Sequence, residues 1–463
     1  MSSLQFRFAL ALMKIVILVA CVLLAPRTAA AAAVAADDAA ASATASESSI
    51  AHGAVGRNPT TAAQSAVAND TDRTGPAVAD VAHRIEGTVR RLDGVELAPE
   101  RVAAIVERLI AAGKVTGIGV AVINDNALVY RRTFGYANVD TKRALAEDTV
   151  MYAASFTKAM FAYLVMQLVD DGVIDLDTPI ERYLPKPLPS YEDYADLAGD
   201  ERWRTITPRM LLAHTAGFSN WRFIDADGNF DQAGKLELRR APGTRYGYSG
   251  EGITLLQFVL EEGLGLDVEA LMQTRVFDRF GMTRTAMRWR DDFLPNLANG
   301  YDEAGANLGH NKRESVRAAG SADSDLIGMS RFLQAMLQGA ARGNAGIQAM
   351  WSPQVRITGL HQFPVSASEI DSDRDDGIEL SYGLGWGVMT TPHGRAAFKA
   401  GHLEGWENYM IAYPGTGTGL VIMTNSSNGE SIFKALLAEL IADRWTPWEW
   451  NRYTPYDVVA PEG

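Results

Sequence analysis

The chain has 463 residues, 47% of them hydrophobic, and carries a formal charge of −13 at pH 7. This length allows one large or two medium domains with a real core, while an acidic chain without a Lys/Arg cluster disfavours nucleic acid and anionic membranes as partners. The single cysteine, Cys21, excludes an intrachain disulfide and any zinc site built from several cysteines. The seven histidines lack metal-binding spacing, so we expect neither a metal nor another cofactor.

Residues 1–31 have the pattern of a signal peptide. Arg7 and Lys14 give a positive start, an apolar run follows at 15–25, and small residues suited to cleavage come after it. The run is short for a bilayer span, so we expect no membrane span in the mature chain. The stretch "LVAC" resembles a lipobox and would anchor the chain at Cys21, but apolar residues continue beyond it. We therefore favour a periplasmic or secreted protein over a lipid-anchored one.

Residues 32–90 are expected to be a disordered linker. The stretch 29–82 consists mainly of Ala, Ser, Thr and Asp and has no aromatic residue, so it offers too little apolar surface to offset its ordering entropy. Structure should begin near Ala98, with a helix over 98–113 and then a hairpin that turns at Asn124 to Asn126. We assign a folded domain to 98–446 and a C-terminal tail to 447–463.

The segment 151–172, "MYAASFTKAMFAYLVMQLVDDG", predicts a buried helix with a serine and a lysine in its first turn. At a helix start the Ser155 oxygen would sit at the positive end of the dipole, and Lys158, one turn along, could reach it. Burial beside a second cation would lower the pKa of such a lysine toward the range of a general base. The alternative is that Ser155 caps the helix and Lys158 is solvated.

Helical pieces separated by Pro, Gly and Asp fill a lobe at about 175–375, and strands with a period of two follow from Leu380. A last helix closes the sequence near 431–445. Helix and strands at both ends around a helical middle predict an α/β composite fold: an antiparallel sheet with flanking helices, built from both ends of the chain, plus an inserted all-helical lobe.

Several segments occur in the order typical of one family: "AASFTKAMFAYLVMQLVDDG", "TPRMLLAHTAGF", "PGTRYGYSGEG", "AAGSADSDLIGMSRF", "YGLGWGV" and "KAGHLEGW". The chain resembles the serine hydrolases of the class C beta-lactamase and penicillin-binding-protein type over about residues 98–445. The resemblance implies a beta-lactamase/transpeptidase-like fold, a nucleophilic Ser155 and Lys158 as its base. In this family the segment around His214 is a structural turn, so we do not expect His214 to be catalytic.

Tyr248 in "YGYSGEG" matches the tyrosine of the family's Tyr-x-Asn motif, with Tyr246 as a competing candidate. The resemblance implies that Tyr248 shuttles the serine proton, and neighbouring ammonium groups would favour its phenolate. Gly250 stands where the motif has asparagine, so the amide expected to hold an acyl side chain is missing.

The family's Lys-Thr-Gly motif fits "KAGHLEGW" in two registers. In one, Lys399, Ala400 and Gly401 match it; in the other, His402 replaces the lysine, with Gly401 and Gly405 aligned. We slightly prefer the second. Either cation would bind a substrate carboxylate or the Tyr248 oxygen, and the N–H of His402 or Gly405, respectively, would complete an oxyanion hole with that of Ser155. Both registers lack the threonine hydroxyl.

The sequence-based hypothesis is an exported serine hydrolase that forms an acyl-enzyme at Ser155 and cleaves an ester, amide or lactam in a small molecule or peptide. The alternative is a non-catalytic peptide- or cell-wall-binding protein with the same fold, motivated by Gly250 and the missing threonine. Sequence leaves the substrate and the oligomeric state open.

Overall fold

The computed structural model describes residues 85–458. The predicted signal peptide, Cys21 and the linker as far as residue 84 lie outside the described residues. None of the helices between residues 85 and 458 is long and apolar enough to cross a bilayer.

The described part of the chain forms sixteen strands. Their bounds are β1 Ile85–Glu86, β2 Val89–Arg90, β3 Glu96–Leu97, β4 Gly117–Asn124, β5 Ala127–Asn138, β6 Arg143–Ala144, β7 Met151–Tyr152, β8 Gly300–Tyr301, β9 Asn307–Gly309, β10 Asp323–Ser324, β11 Val355–Arg356, β12 Ser381–Tyr382, β13 Gly387–Thr391, β14 Gly394–Leu403, β15 Trp406–Tyr413 and β16 Thr418–Thr424.

The same part of the chain forms nine α-helices: α1 Pro99–Gly113, α2 Phe156–Asp170, α3 Pro208–Leu212, α4 Gly250–Phe258, α5 Val268–Met272, α6 Leu326–Ala341, α7 Ala345–Met350, α8 Val365–Ser368 and α9 Phe433–Leu440. Short 3₁₀ turns lie at Ile180–Arg182, Leu188–Ser190, Glu192–Leu197, Glu201–Thr205, Asp291–Asn296, Asp376–Ile378 and Gly429–Ile432. Two π-helical turns, Val259–Gly263 and Gln273–Phe277, extend α4 and α5.

The main sheet is antiparallel, with strand order β1-β5-β4-β16-β15-β14-β13-β12-β11, and β6 pairs with β5 at its margin. Its strands come from both ends of the described chain, and most of the helices lie in the sequence between them. This arrangement confirms the predicted α/β composite fold. The inserted lobe is not all-helical, however, because the short strands β8, β9 and β10 lie within it. The predicted hairpin is present as β4 and β5, and its turn residues Asp125 and Asn126 take positive φ values of 50° and 61°.

Helices cover both faces of the sheet, which explains why β4, β15 and β16 are buried at every residue. Alternate residues of β4 enter different cores, because side chains on a strand point to opposite faces. Val120 and Val122 pack with α1 and α9, whereas Ala121 and Ile123 belong to the core that holds α2 and α6.

Strand pairing begins before the predicted start of the domain and packing continues beyond its predicted end. Residues 85–90 of the predicted linker contribute β1, which pairs with β5, and β2. In the predicted C-terminal tail, Trp448 and Trp450 are buried in the core next to α9. These large apolar side chains hold the segment against the sheet.

Candidate active site

Ser155 lies at the junction between β7 and α2. Ala154 before it has a φ of 47°, an unfavourable conformation for a residue with a side chain, and α2 starts at Phe156. The Ser155 side chain makes no capping hydrogen bond to the helix. Its Oγ instead lies 3.1 Å from the Lys158 Nζ, so the structure argues against a simple capping role for this serine.

Lys158 is only 1% exposed, which contradicts the alternative of a solvated lysine. Its amine also donates to the backbone carbonyl of Ala319, in the loop that leads to β10. These contacts hold the nitrogen beside the Ser155 hydroxyl, at a distance suited to proton transfer.

Tyr248 lies in the loop that precedes α4, and its side chain approaches Ser155 and Lys158. Its hydroxyl accepts a hydrogen bond of 2.9 Å from the Lys399 Nζ, and the Ser155 side chain is close enough to affect its pKa. The Lys158 and Lys399 nitrogens lie 5.0 Å and 4.6 Å from the centre of its ring. Burial raises the pKa of Tyr248, and the Ser155 hydrogen bond lowers it less. The raised pKa favours the neutral phenol, whereas the neighbouring ammonium groups were expected from sequence to favour the phenolate.

Lys399, on β14, is 3% exposed and lies 3.3 Å from the Tyr382 hydroxyl as well. Burial and the positive charge of Lys158 lower the pKa of Lys399 well below its usual range. Two amines buried on either side of one phenol cannot both stay charged at low cost, so one of them is available as a base.

The structure favours the Lys399 register over the His402 register that we preferred from sequence. Three positions separate the two residues, so their side chains point to opposite faces of β14. The His402 side chain is 72% exposed and lies 2.5 Å from a Glu407 carboxylate oxygen, and that charge raises the pKa of His402. Gly405 falls in the β14–β15 turn, and its N–H donates to the Ser427 hydroxyl rather than toward Ser155.

Gly401 brings β14 into contact with the start of α2. A Cβ atom at Gly401 would lie 2.7 Å from the Ala153 carbonyl oxygen and 3.4 Å from the Phe156 nitrogen, so glycine is required for this approach. Within residues 85–458, β13 pairs with β14 only from Gly394 to Phe398, and the edge that faces Ser155 is left open beyond that point.

The N–H of His402 points toward this open edge. The N–H of Glu407 donates to the Thr424 hydroxyl on β16, so Glu407 directs its backbone groups away from β14. Since His402 and Glu407 are opposed in an antiparallel pair, His402 directs its own N–H away from β15. This N–H and that of Ser155 are the candidate oxyanion donors.

The ring of His214 packs against the ring of Tyr248. His214 is buried, its ring centre is 4.4 Å from that of Tyr248, and its Nδ1 accepts the Ser249 N–H. Burial, then the charges of Lys399 and Lys158, lower the pKa of His214, so this ring stays neutral. These contacts agree with the structural role expected for His214.

Tyr246, the competing tyrosine, points elsewhere: its hydroxyl faces Gln362 and its ring packs on Trp450.

Sequence analysis missed two groups of the site, the Tyr382 hydroxyl and the Ala319 carbonyl. Tyr382 is the first residue of the "YGLGWGV" segment, but no local pattern indicates that its hydroxyl faces β14.

The space beside Gly250 is filled by an indole ring. A Cβ atom at Gly250 would lie 2.5 Å from the Trp221 Cη2 atom, so the asparagine of the family motif cannot be accommodated without moving this ring. The described residues contain no group of three or more His, Cys, Asp or Glu side chains that could hold a metal ion.

The comparisons with known proteins agree with this geometry. The sequence model of the Beta-lactamase family matches residues 102–443, and the chain belongs to this family. The chain is 26% identical to a D-aminopeptidase of Gluconobacter oxydans, over 76% of this chain and 64% of that protein. It is 29% identical to Esterase EstB of Burkholderia gladioli, over 43% of this chain and 53% of that protein.

A solved structure, the octameric penicillin-binding protein homologue from Pyrococcus abyssi, has a TM-score of 0.57 to this chain. Its sequence is 18% identical, with 74% of this chain and 79% of that chain covered, and it supports the fold alone. The chain thus spans less than two thirds of the length of the aminopeptidase and the esterase. The names of these relatives support serine hydrolase activity.

Proposed function

We propose that this protein is a serine hydrolase that forms an acyl-enzyme at Ser155 and releases the acyl group to water. The observation that carries the proposal is the convergence of the Ser155 hydroxyl, the Lys158 amine and the Tyr248 hydroxyl, with the Lys399 amine on the other side of the phenol. A binding protein needs no base beside the Ser155 hydroxyl.

In the proposed acylation, the Ser155 oxygen attacks the carbonyl carbon of the substrate and its proton passes to the neutral amine of the cleft, with Lys158 nearest. The N–H groups of Ser155 and His402 stabilise the developing oxyanion, a contribution of roughly 3 kcal/mol for each donor. When the C–O or C–N bond breaks, Tyr248 gives its proton to the leaving group and regains one from the lysines.

In the proposed deacylation, a water molecule takes the position of the leaving group and attacks the acyl carbon. The proton of this water passes through the Tyr248 hydroxyl to the neutral lysine amine, and the lysine returns a proton to the Ser155 oxygen as the acid departs. Substrate candidates are an ester, an amide or a lactam, including a peptide with D-residues.

We also propose that the protein acts outside the cytoplasm. The basis is the signal-peptide pattern of residues 1–31, which suits a substrate of the periplasm or the medium. N-terminal sequencing of protein recovered from the natural host's cell envelope or medium would test this, and a chain that retains residues 1–31 would contradict it.

The direct test of activity is turnover of a panel of chromogenic esters, D-alanyl p-nitroanilide and nitrocefin. We expect hydrolysis of at least one ester by the wild-type protein and no rate above background for Ser155→Ala. Equal rates for the two proteins across the whole panel would favour the binding protein instead.

A further inference from the structure

The Trp221 indole fills the space into which a side chain at position 250, asparagine in the family's motif, would project. Ser249 is extended, with φ −142° and ψ 113°, so residues 248 and 250 direct their Cβ atoms to the same side of the chain. Tyr248 reaches Ser155 along this direction. The indole that lies over the α-carbon of Gly250 is therefore on the Ser155 side of the loop.

The loop that carries Trp221 is held firmly against the start of α4. The Asn220 side chain accepts the Gly250 N–H at 2.9 Å, and its backbone carbonyl accepts the Glu251 N–H at 3.0 Å. Arg222 forms a bidentate salt bridge with Glu251, whose side chain is 8% exposed. The indole is thus fixed by both of its chain neighbours, which makes it a preorganised surface.

Aromatic rings continue from Trp221 toward solvent. Phe223 is stacked on Trp221, with 5.9 Å between ring centres and 5° between planes, and Phe230 follows at 6.2 Å. Phe363 lies edge-on to the Tyr248 ring at 5.7 Å. Phe230 and Phe363 are 57% and 38% exposed, so apolar surface extends from solvent to the reactive hydroxyls.

We propose that Trp221 is the specificity-determining residue of the acyl subsite, and that this subsite takes acyl groups with a flat aromatic face. An indole offers a π-surface and no hydrogen-bond acceptor near Gly250, so an acylamino group there would lose its bonds to water without compensation. An arylacetyl ring can instead pack against the part of the Trp221 indole that Phe223 does not cover. This inference rests on the proposed function.

The kinetic test compares p-nitrophenyl phenylacetate with p-nitrophenyl acetate, which share a leaving group and differ in the acyl group. The wild-type protein should prefer the phenylacetyl ester in kcat/KM, and Trp221→Ala should reduce that preference by about tenfold, in the range of one aromatic contact. Trp221→Leu retains apolar bulk but no aromatic ring, so it should also lose most of this preference. It provides the test if the alanine variant does not fold.

Trp445→Ala is the matched control, because Trp445 packs on His393, which lies just before the first residue of β14. It should leave the ratio of the two esters unchanged. An unchanged ratio in a folded Trp221 variant, or a wild-type preference for the acetyl ester, would overturn the proposal.

A binding measurement separates this proposal from the proposed chemistry. Calorimetry with the Ser155→Ala protein should show that phenylacetate binds more tightly than acetate. Adding Trp221→Ala to this variant should reduce the affinity for phenylacetate about tenfold. Phenylacetate binding that depends on Trp221, without turnover by the wild type, would refute only the hydrolase. Phenylacetate binding that is absent or independent of Trp221 would refute the aromatic subsite.

Discussion

At the scale of single residues, the site depends on two lysines that approach one phenol from different elements. Lys158 comes from α2 and Lys399 from β14, and both are almost fully buried. Their mutual repulsion adds to the cost of burial and lowers the pKa of Lys399. Tyr248 stays neutral between them, so it can pass a proton on without carrying a permanent charge.

Replacing Tyr248 by phenylalanine should lower kcat by at least about a hundredfold, because the general acid for the leaving group is lost while the ring still packs on His214. Steady-state ester hydrolysis measures this effect. Tyr246→Phe is the control, since that hydroxyl faces Gln362 instead of Ser155. Comparable losses in the two variants would remove Tyr248 from the mechanism.

Replacing Lys399 by methionine should move the acidic limb of the kcat/KM profile to higher pH. The wild-type site needs one neutral amine, so its activity should persist at neutral pH and fall as acidification protonates the lysine pair. Without the charge of residue 399, the remaining amine keeps its proton to higher pH. An acidic limb that stays in place or moves to lower pH would show that the two amines are not coupled.

At the scale of secondary-structure elements, the site forms where the open edge of β14 meets the first turn of α2. Sequence predicted both elements, because period-two and helical patterns are local properties. It favoured His402 over Lys399, whereas the structure favours Lys399, since the choice depends on which face of β14 turns toward the helix. That face is set by pairing with β15, a contact between strands that no local pattern encodes.

Gly401→Ala should reduce kcat by about a hundredfold and the free energy of unfolding by about 1–3 kcal/mol. The added methyl group would press on the Ala153 carbonyl and separate the two oxyanion donors. Hydrolysis rates and urea unfolding measure the two effects.

Gly377→Ala is the control for this substitution, because nothing lies within 4 Å of its added Cβ atom. It should change the free energy of unfolding by less than about 0.5 kcal/mol. A fully active Gly401→Ala protein would contradict the assignment of β14 as one side of the oxyanion hole.

At the scale of the described molecule, the two ends of residues 85–458 supply the long strands of the main sheet, and the middle supplies the lobe that carries Tyr248. This division was predictable from the order of strand and helix patterns. The participation of residues 85–90 and 447–450 was not, because short strands and isolated tryptophans give no periodic signal. The contact between Trp221 and Gly250 also escaped sequence analysis, since it joins positions 29 residues apart.

Trp450→Ala should lower the free energy of unfolding by about 3–5 kcal/mol, because this side chain is 1% exposed and packs on Tyr246 in the core next to α9. Denaturant unfolding with an unchanged m-value would measure the loss. Trp445→Ala, at a partly buried position, should cost less. Equal stability of Trp450→Ala and the wild type would mean that the burial of Trp450 does not stabilise the fold.

The most direct test of the account is to map covalent labelling by a fluorophosphonate probe with peptide mass spectrometry. The account predicts stoichiometric label on Ser155, slower labelling of Lys158→Ala, and none of Ser155→Ala. Label on another residue, or equal labelling of the wild type and Ser155→Ala, would contradict the assignment of Ser155 as the nucleophile.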